Sequence, residues 1–189
     1  MLAPKSPIRV DEGGLAMFAT MAALLLNSAT PLPAADLAAT ELPQLFQAAC
    51  LDGQAKLSPG SASPVGFDGL PAKLKRALGT PASGQVWRLN TQGSAYLYIL
   101  NYPAGPESSP RVCGIASDLM NSQAAQDTIE MRVNGRLSGE HNPSMEWLSP
   151  HEGYRALVTR NGKFRVMQVD MLSDAQRDQA MKVYTQLSH

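Results

Sequence analysis

The stretch Gln85 to Leu119 constrains the fold more than any other part of the chain, because it reads as three consecutive strands separated by turn signals. Ala95 to Tyr102 puts Tyr96, Tyr98, Leu100 and Tyr102 on one face and Leu97 and Ile99 on the other, the period-two alternation of a strand. Both sets are apolar enough to be covered, which predicts a strand in the middle of a sheet. Val86 to Asn90 precedes it, with Trp87 and Leu89 on one face and Gly93 in the intervening turn. Pro103 has no N–H to give a ladder and stops the second strand. The third strand, Arg111 to Ala116, carries Cys113 and Ile115 on one face. Cys113 is one of two cysteines. The other, Cys50, lies in Glu41 to Leu51, where Leu42, Leu45, Phe46 and Ala49 recur at helical spacing. A bond between the two would staple that helix to the sheet.

The remaining elements follow from local signals. Thr40 is placed to cap the first helix and Gly53 to end it. Pro71 to Leu78 predicts a second helix with Leu70, Leu74 and Leu78 turned inward. Ser122 to Val133 predicts a third, capped by Asn121 or Ser122. Arg136 to Gly153 reads as a long irregular segment. Asn161-Gly162 between two β-rich runs predicts a two-residue hairpin turn with both residues at positive φ, setting Arg160 opposite Lys163, Val158 opposite Arg165 and Ala156 opposite Met167. Ser173 to Gln176 is a capping box opening a last helix, whose inward stripe is Ala180, Met181, Tyr184 and Leu187. The expected order is α-α-β-β-β-α-β-β-α. The expected class is α+β: an antiparallel sheet of about five strands, a three-strand meander plus a hairpin, with helices packed on it.

Residues 1–39 are expected to be a signal peptide and short linker, and residues 40–189 a single domain. Lys5 and Arg9 precede the apolar run Leu15 to Leu26, and small, turn-prone residues follow, the order of a secretory signal. A run of about twelve apolar residues is short of the roughly twenty that span a bilayer, so membrane association is confined to the signal before cleavage. Asp11 and Glu12 dilute the basic region, and no strict Ala-x-Ala site is present. Export implies an oxidising compartment, where a pair of cysteines is most simply a disulfide. A reactive thiol would need a lowered pKa and a nearby base, and neither cysteine has a Cys-x-x-Cys partner or an adjacent histidine. Sixteen basic and sixteen acidic residues leave no net charge and no basic stripe, which argues against a nucleic-acid partner.

Signals for chemistry are sparse. Residues 136–153 hold Glu140, His141, Trp147, His151 and Glu152, the set in which a ligand or metal site would be sought. Two imidazoles and a carboxylate can complete a three-ligand zinc site with an open position. The spacing matches no recognised ligand motif, so no metal is expected, and solvated histidines with Trp147 folded onto the core are the simpler reading. The tyrosines of the middle strand suit either a stacking surface or a half-buried core strand, and the core reading is preferred. No Gly-rich phosphate loop or nucleophile elbow is present, no cofactor is expected, and no catalytic residue is assigned.

The series Phe46-x-x-x-Cys50, Trp87, the tyrosine strand and then Val112-Cys113-Gly114-Ile115 resembles small exported proteins of Gram-negative bacteria, in which a Phe-x3-Cys helix precedes a Cys-Gly-[Val/Ile] strand. The resemblance covers residues 42–118. It implies a periplasmic or secreted address and a Cys50–Cys113 bridge, and it transfers no activity. The expectation is a disulfide-stapled periplasmic domain that binds a partner protein or a small ligand without catalysis. The alternative is a metal-assisted hydrolase built on residues 136–153.

Overall fold

Every strand joins one antiparallel sheet, in the order β1-β2-β3-β4-β8-β7-β6-β5. The computed structural model describes residues 37–54, 57–58, 60–103, 105, 108–133, 135–141 and 144–187. The proposed signal peptide lies outside these, apart from the last residues of its linker. Strands β1 (Ala62–Pro64), β2 (Ser83–Leu89), β3 (Ala95–Asn101) and β4 (Arg111–Ser117) form a meander. Helix α3 (Ser122–Arg132) then carries the chain to the far edge, and β5 (Arg136–His141), β6 (Ser144–Ser149), β7 (Tyr154–Asn161) and β8 (Phe164–Met171) walk back until β8 pairs with β4. Helix α1 (Leu42–Phe46, continued by a π-helical turn Gln47–Leu51), α2 (Ala72–Leu78), α4 (Asp174–Gln186) and short 3-10 turns at Ala39–Glu41 and Phe67–Gly69 complete the described elements.

The class is α+β, as expected, but the sheet has eight strands among the described residues rather than about five, and the element order differs. One addition is the short β1, whose three residues pair with β2. The other two come from residues 136–153, which form a hairpin rather than an irregular crossing. Gly139 and Pro143 read as breakers, yet Gly139 sits at a register shift in β5, where a strand glycine marks a bulge, and Pro143 falls in the link between the strands. Met145 and Trp147 alternate with Glu146 and Leu148, a strand pattern too brief to stand out beside those breakers.

The sheet is covered on both faces. On one, Phe46, Ile129, Leu97, Ile115, Trp147 and Met167 join a core under α1 and α3. The Cys50–Cys113 disulfide links the π-helical turn to β4, with Cα atoms 5.4 Å apart, and stitches that helix to the middle of the sheet. On the other face, Leu74 of α2 packs with Val86, Tyr98, Leu100, Phe164 and Val166. Leu37 donates its N–H to the Asn90 carbonyl at 2.8 Å and packs against the first core, so the folded body begins before residue 40.

Several local expectations hold. Asn121 accepts from the Gln123 and Ala124 N–H groups at the start of α3, and Ser173 with Gln176 forms the reciprocal box that opens α4. Gly53 and Gly79 take positive φ at helix ends. Two expectations fail. The first helical turn is held by Glu41, whose carboxylate accepts from the Ala38 N–H, rather than by Thr40. In α4 only Ala180 is buried and Leu187 is exposed, because the helix docks over β5 and β6 at the sheet edge and offers it a narrow strip.

The hairpin register is also corrected. The turn residues are Gly162 and Lys163, flanked by the pair Asn161–Phe164, and only Gly162 has positive φ, the arrangement of a II′ turn. Asn161 instead donates its side-chain amide to the Lys73 carbonyl of α2. Val158 therefore faces Met167, and Ala156 faces Val169. The slip of two residues left every side chain on its expected face, since the pleat repeats every second residue, but it changed every cross-strand partner.

Candidate functional site

On the α2 face, where a core would ordinarily be apolar, the central strands carry a chain of polar side chains. Tyr98 is 1% exposed and donates its hydroxyl to Gln168 Oε1 at 2.7 Å. Gln168 Nε2 donates to Asp170 Oδ1 at 2.6 Å, and Arg155 Nε donates to Asp170 Oδ2 at 2.9 Å. Arg155 Nη1 also lies 3.9 Å from Glu146. The chain thus crosses β3, β8, β7 and β6 in sequence. Gly114 makes its first link possible, since a Cβ there would collide with the Tyr98 hydroxyl. Glycine is needed for that close approach, not for an unusual φ.

Burial sets the electrostatics. Asp170 is 3% exposed, and burial pushes its carboxyl above the ordinary range, with the Arg155 charge the chief opposing influence. Burial, then the Asp170 and Tyr102 charges, push the Tyr98 phenol well up, so it stays a donor. Tyr102 is pushed up to about 12 by burial and by Asp170, and donates to the Leu78 carbonyl at 2.6 Å.

Two cavities flank Arg155. One, of ≈ 270 Å³, lies between the end of α2 and the segment after β3, with Leu78, Tyr102, Ser109, Val112, Gln168 and Asp170 in its walls. The other, of ≈ 300 Å³, lies under α4, with Glu146, Leu148, Gln179, Ala180 and Val183 in its walls. Arg155 lines both. The second lies at the lower bound of small-ligand sites, roughly 300–1,000 Å³, and the first just below it.

Residues 136–153 form a hairpin and the turn that follows it. Trp147 is buried in the core under α1 and α3. His151 is exposed, and its ring meets that of Tyr184 edge-on at 5.3 Å. Arg177 of α4 donates to the carbonyls of Pro150 and His151 at 2.7 and 2.9 Å, so this turn is the seat of α4. Glu152 accepts from Ser149 at 3.2 Å, and burial followed by the Glu152 bond pushes the Tyr154 phenol up. The side chains of Glu140 and His141 lie outside what is described. Their backbone is in β5, where His141 pairs with Ser144 at the start of β6, whereas His151 follows the end of β6. Five strand residues at about 3.4 Å each set those backbone ends roughly 17 Å apart. Among the described residues no three His, Cys, Asp or Glu side chains are grouped to hold a metal.

The polar chain escaped the sequence reading. Its one visible signal was Gln168 and Asp170 on the same face as Phe164 and Val166 of a strand rich in apolar residues. Compared with protein-family models, curated proteins and solved structures, the chain matches none of them.

Proposed function

We propose that this chain is an exported, disulfide-stapled bacterial domain that holds a small ligand in the cleft floored by Gln168, Asp170 and Arg155. The observation that carries the reading is the Asp170–Arg155 pair, set between two cavities in the middle of a sheet. A plain core has simpler options, because even a half-buried ion pair such as this one adds little stability over well-packed apolar residues. A pair placed beside open volume is better explained by ligand binding. The signal-like N-terminus and the disulfide together support a periplasmic or secreted address.

The test uses the full chain expressed in a Gram-negative host. It is expected in the periplasmic fraction, shortened, with no free thiol. Isotope-labelled protein from that fraction, titrated with a small-molecule extract of the same compartment, is expected to shift the resonances of Ser109, Arg155 and Gln168. Full-length, reduced protein in the cytoplasm would remove the address, and saturable shifts confined to other surfaces would remove the cleft.

A further inference from the structure

We infer that the cavity between α2 and β8 takes a neutral, polyhydroxylated ligand about the size of one sugar ring. The inference rests on the cleft reading above and adds the chemistry of what fills it. Asp170 already receives Arg155 Nε and Gln168 Nε2, one on each oxygen. A cation entering the cavity would compete with Arg155 for a carboxylate whose charge is already paired. An anion would approach a buried carboxylate, with Glu146 also near the guanidinium. Either charge would lose water without gaining a fresh counter-ion, which is costly in a partly buried site.

What the walls do offer is neutral. Ser109 Oγ is buried and has no hydrogen-bond partner among the described residues, the one such side-chain atom there. A buried hydroxyl left unpaired costs about 1–3 kcal/mol, so turning Ser109, a residue of the cavity wall, toward a ligand hydroxyl would recover free energy. Gln168 has a second amide N–H beyond the one given to Asp170, and the Tyr102 oxygen, donating to Leu78, retains acceptor capacity. Ala77, Leu78 and Val112 give an apolar wall for the C–H face of a ring. Hydroxyl and amide groups opposite an apolar wall match a ligand with hydroxyls on its rim and carbon on its faces.

Probes that differ mainly in charge test this on the oxidised, folded protein. Glucose, galactose and N-acetylglucosamine are the neutral set, glucuronate the anion and glucosamine the cation. A neutral sugar is expected to shift Tyr102, Ser109 and Gln168 saturably, and S109V is expected to weaken that binding at least tenfold. S109A serves as the folding control, since removing an unpartnered hydroxyl leaves the melting temperature unchanged or raised. Tighter binding of glucuronate or glucosamine at the same resonances would overturn neutrality and leave the cleft reading standing. Shifts there with the compartment extract but with none of the sugars would overturn the polyol class alone. Silence of those resonances to both extract and sugars would overturn both.

Discussion

The two faces of this sheet solve the problem of covering β-strands in opposite ways. Under α1 and α3 the inward residues are apolar apart from Ser117 and Ser149 at the strand ends, and a disulfide fixes the lid. Under α2 and toward α4, the same strands turn Gln168, Asp170 and Arg155 inward and leave volume beside them. The first face is built for stability. The second carries groups that cost stability and must be matched to one another. The lesson is that the two sides of one strand, a residue apart in sequence, can serve separate purposes because the pleat sends them to separate cores.

The contrast can be broken at its strong side first. Phe46→Ala removes a fully buried ring from the first core and is expected to cost about 3–5 kcal/mol, read as a fall in the denaturant midpoint. Replacing both cysteines with serine should cost about 4 kcal/mol, the chain-entropy value for a bridge spanning 63 residues, and the loss should match that of adding reductant to the native protein. A much smaller loss in either case would mean that the first face is not the main source of stability.

On the second face the expected effects are smaller and depend on partners. Arg155→Met leaves Asp170 buried without its cation and should cost roughly 2–3 kcal/mol, below the range for a fully buried pair because Arg155 is 37% exposed. Adding Asp170→Leu to Arg155→Met should recover most of that loss, and a double mutant no better than the single would show that the ion pair is not the organising contact. Tyr98→Phe strands Gln168 Oε1 and should cost about 1–2 kcal/mol.

The pH response separates two carboxylates. Asp170 has a folded-state pKa above its ordinary 3.8, so the folded protein holds that proton more tightly than the unfolded chain does. Its contribution therefore weakens as pH rises from 3.8 through the raised value, and Asp170→Asn should flatten the slope in that window. Asp118 behaves oppositely. Burial raises its pKa, but hydrogen bonds from Lys163 and the Ser94 N–H, with the Lys163 charge, hold it below the ordinary value. Its contribution is present above 3.8 and is lost as pH falls through the lower folded value. Because Lys163 is largely exposed, Asp118→Asn should cost under about 1 kcal/mol and show most clearly at low salt.

Much of the architecture was legible in the sequence, and the hidden part has a common cause. The tyrosine strand, the caps at Asn121 and Ser173, and the sulfur pair are all recorded in nearby residues or in the count of cysteines. The ion pair was hidden by a small displacement. With Asn161-Gly162 taken as the turn, Arg155 would face Gln168; with Gly162-Lys163, it faces Asp170. Residues 144–149 were hidden because a strand so short, between Pro143 and the turn at Pro150, shows too few alternations to outweigh its breakers.

Sequence alone determined five of the eight strands and the four main helices, the inward face of the central strands, and that two sulfur atoms had only each other to bond. Those properties depend on backbone periodicity and on residues within a turn or two. Tertiary structure alone decided that β8 lies against β4, that β5 ends at the far edge, and that Arg155 meets Asp170 between two cavities. Strand pairing is degenerate to any even shift as far as burial is concerned, so only the turn geometry and the packing of the whole sheet could select one partner for each side chain.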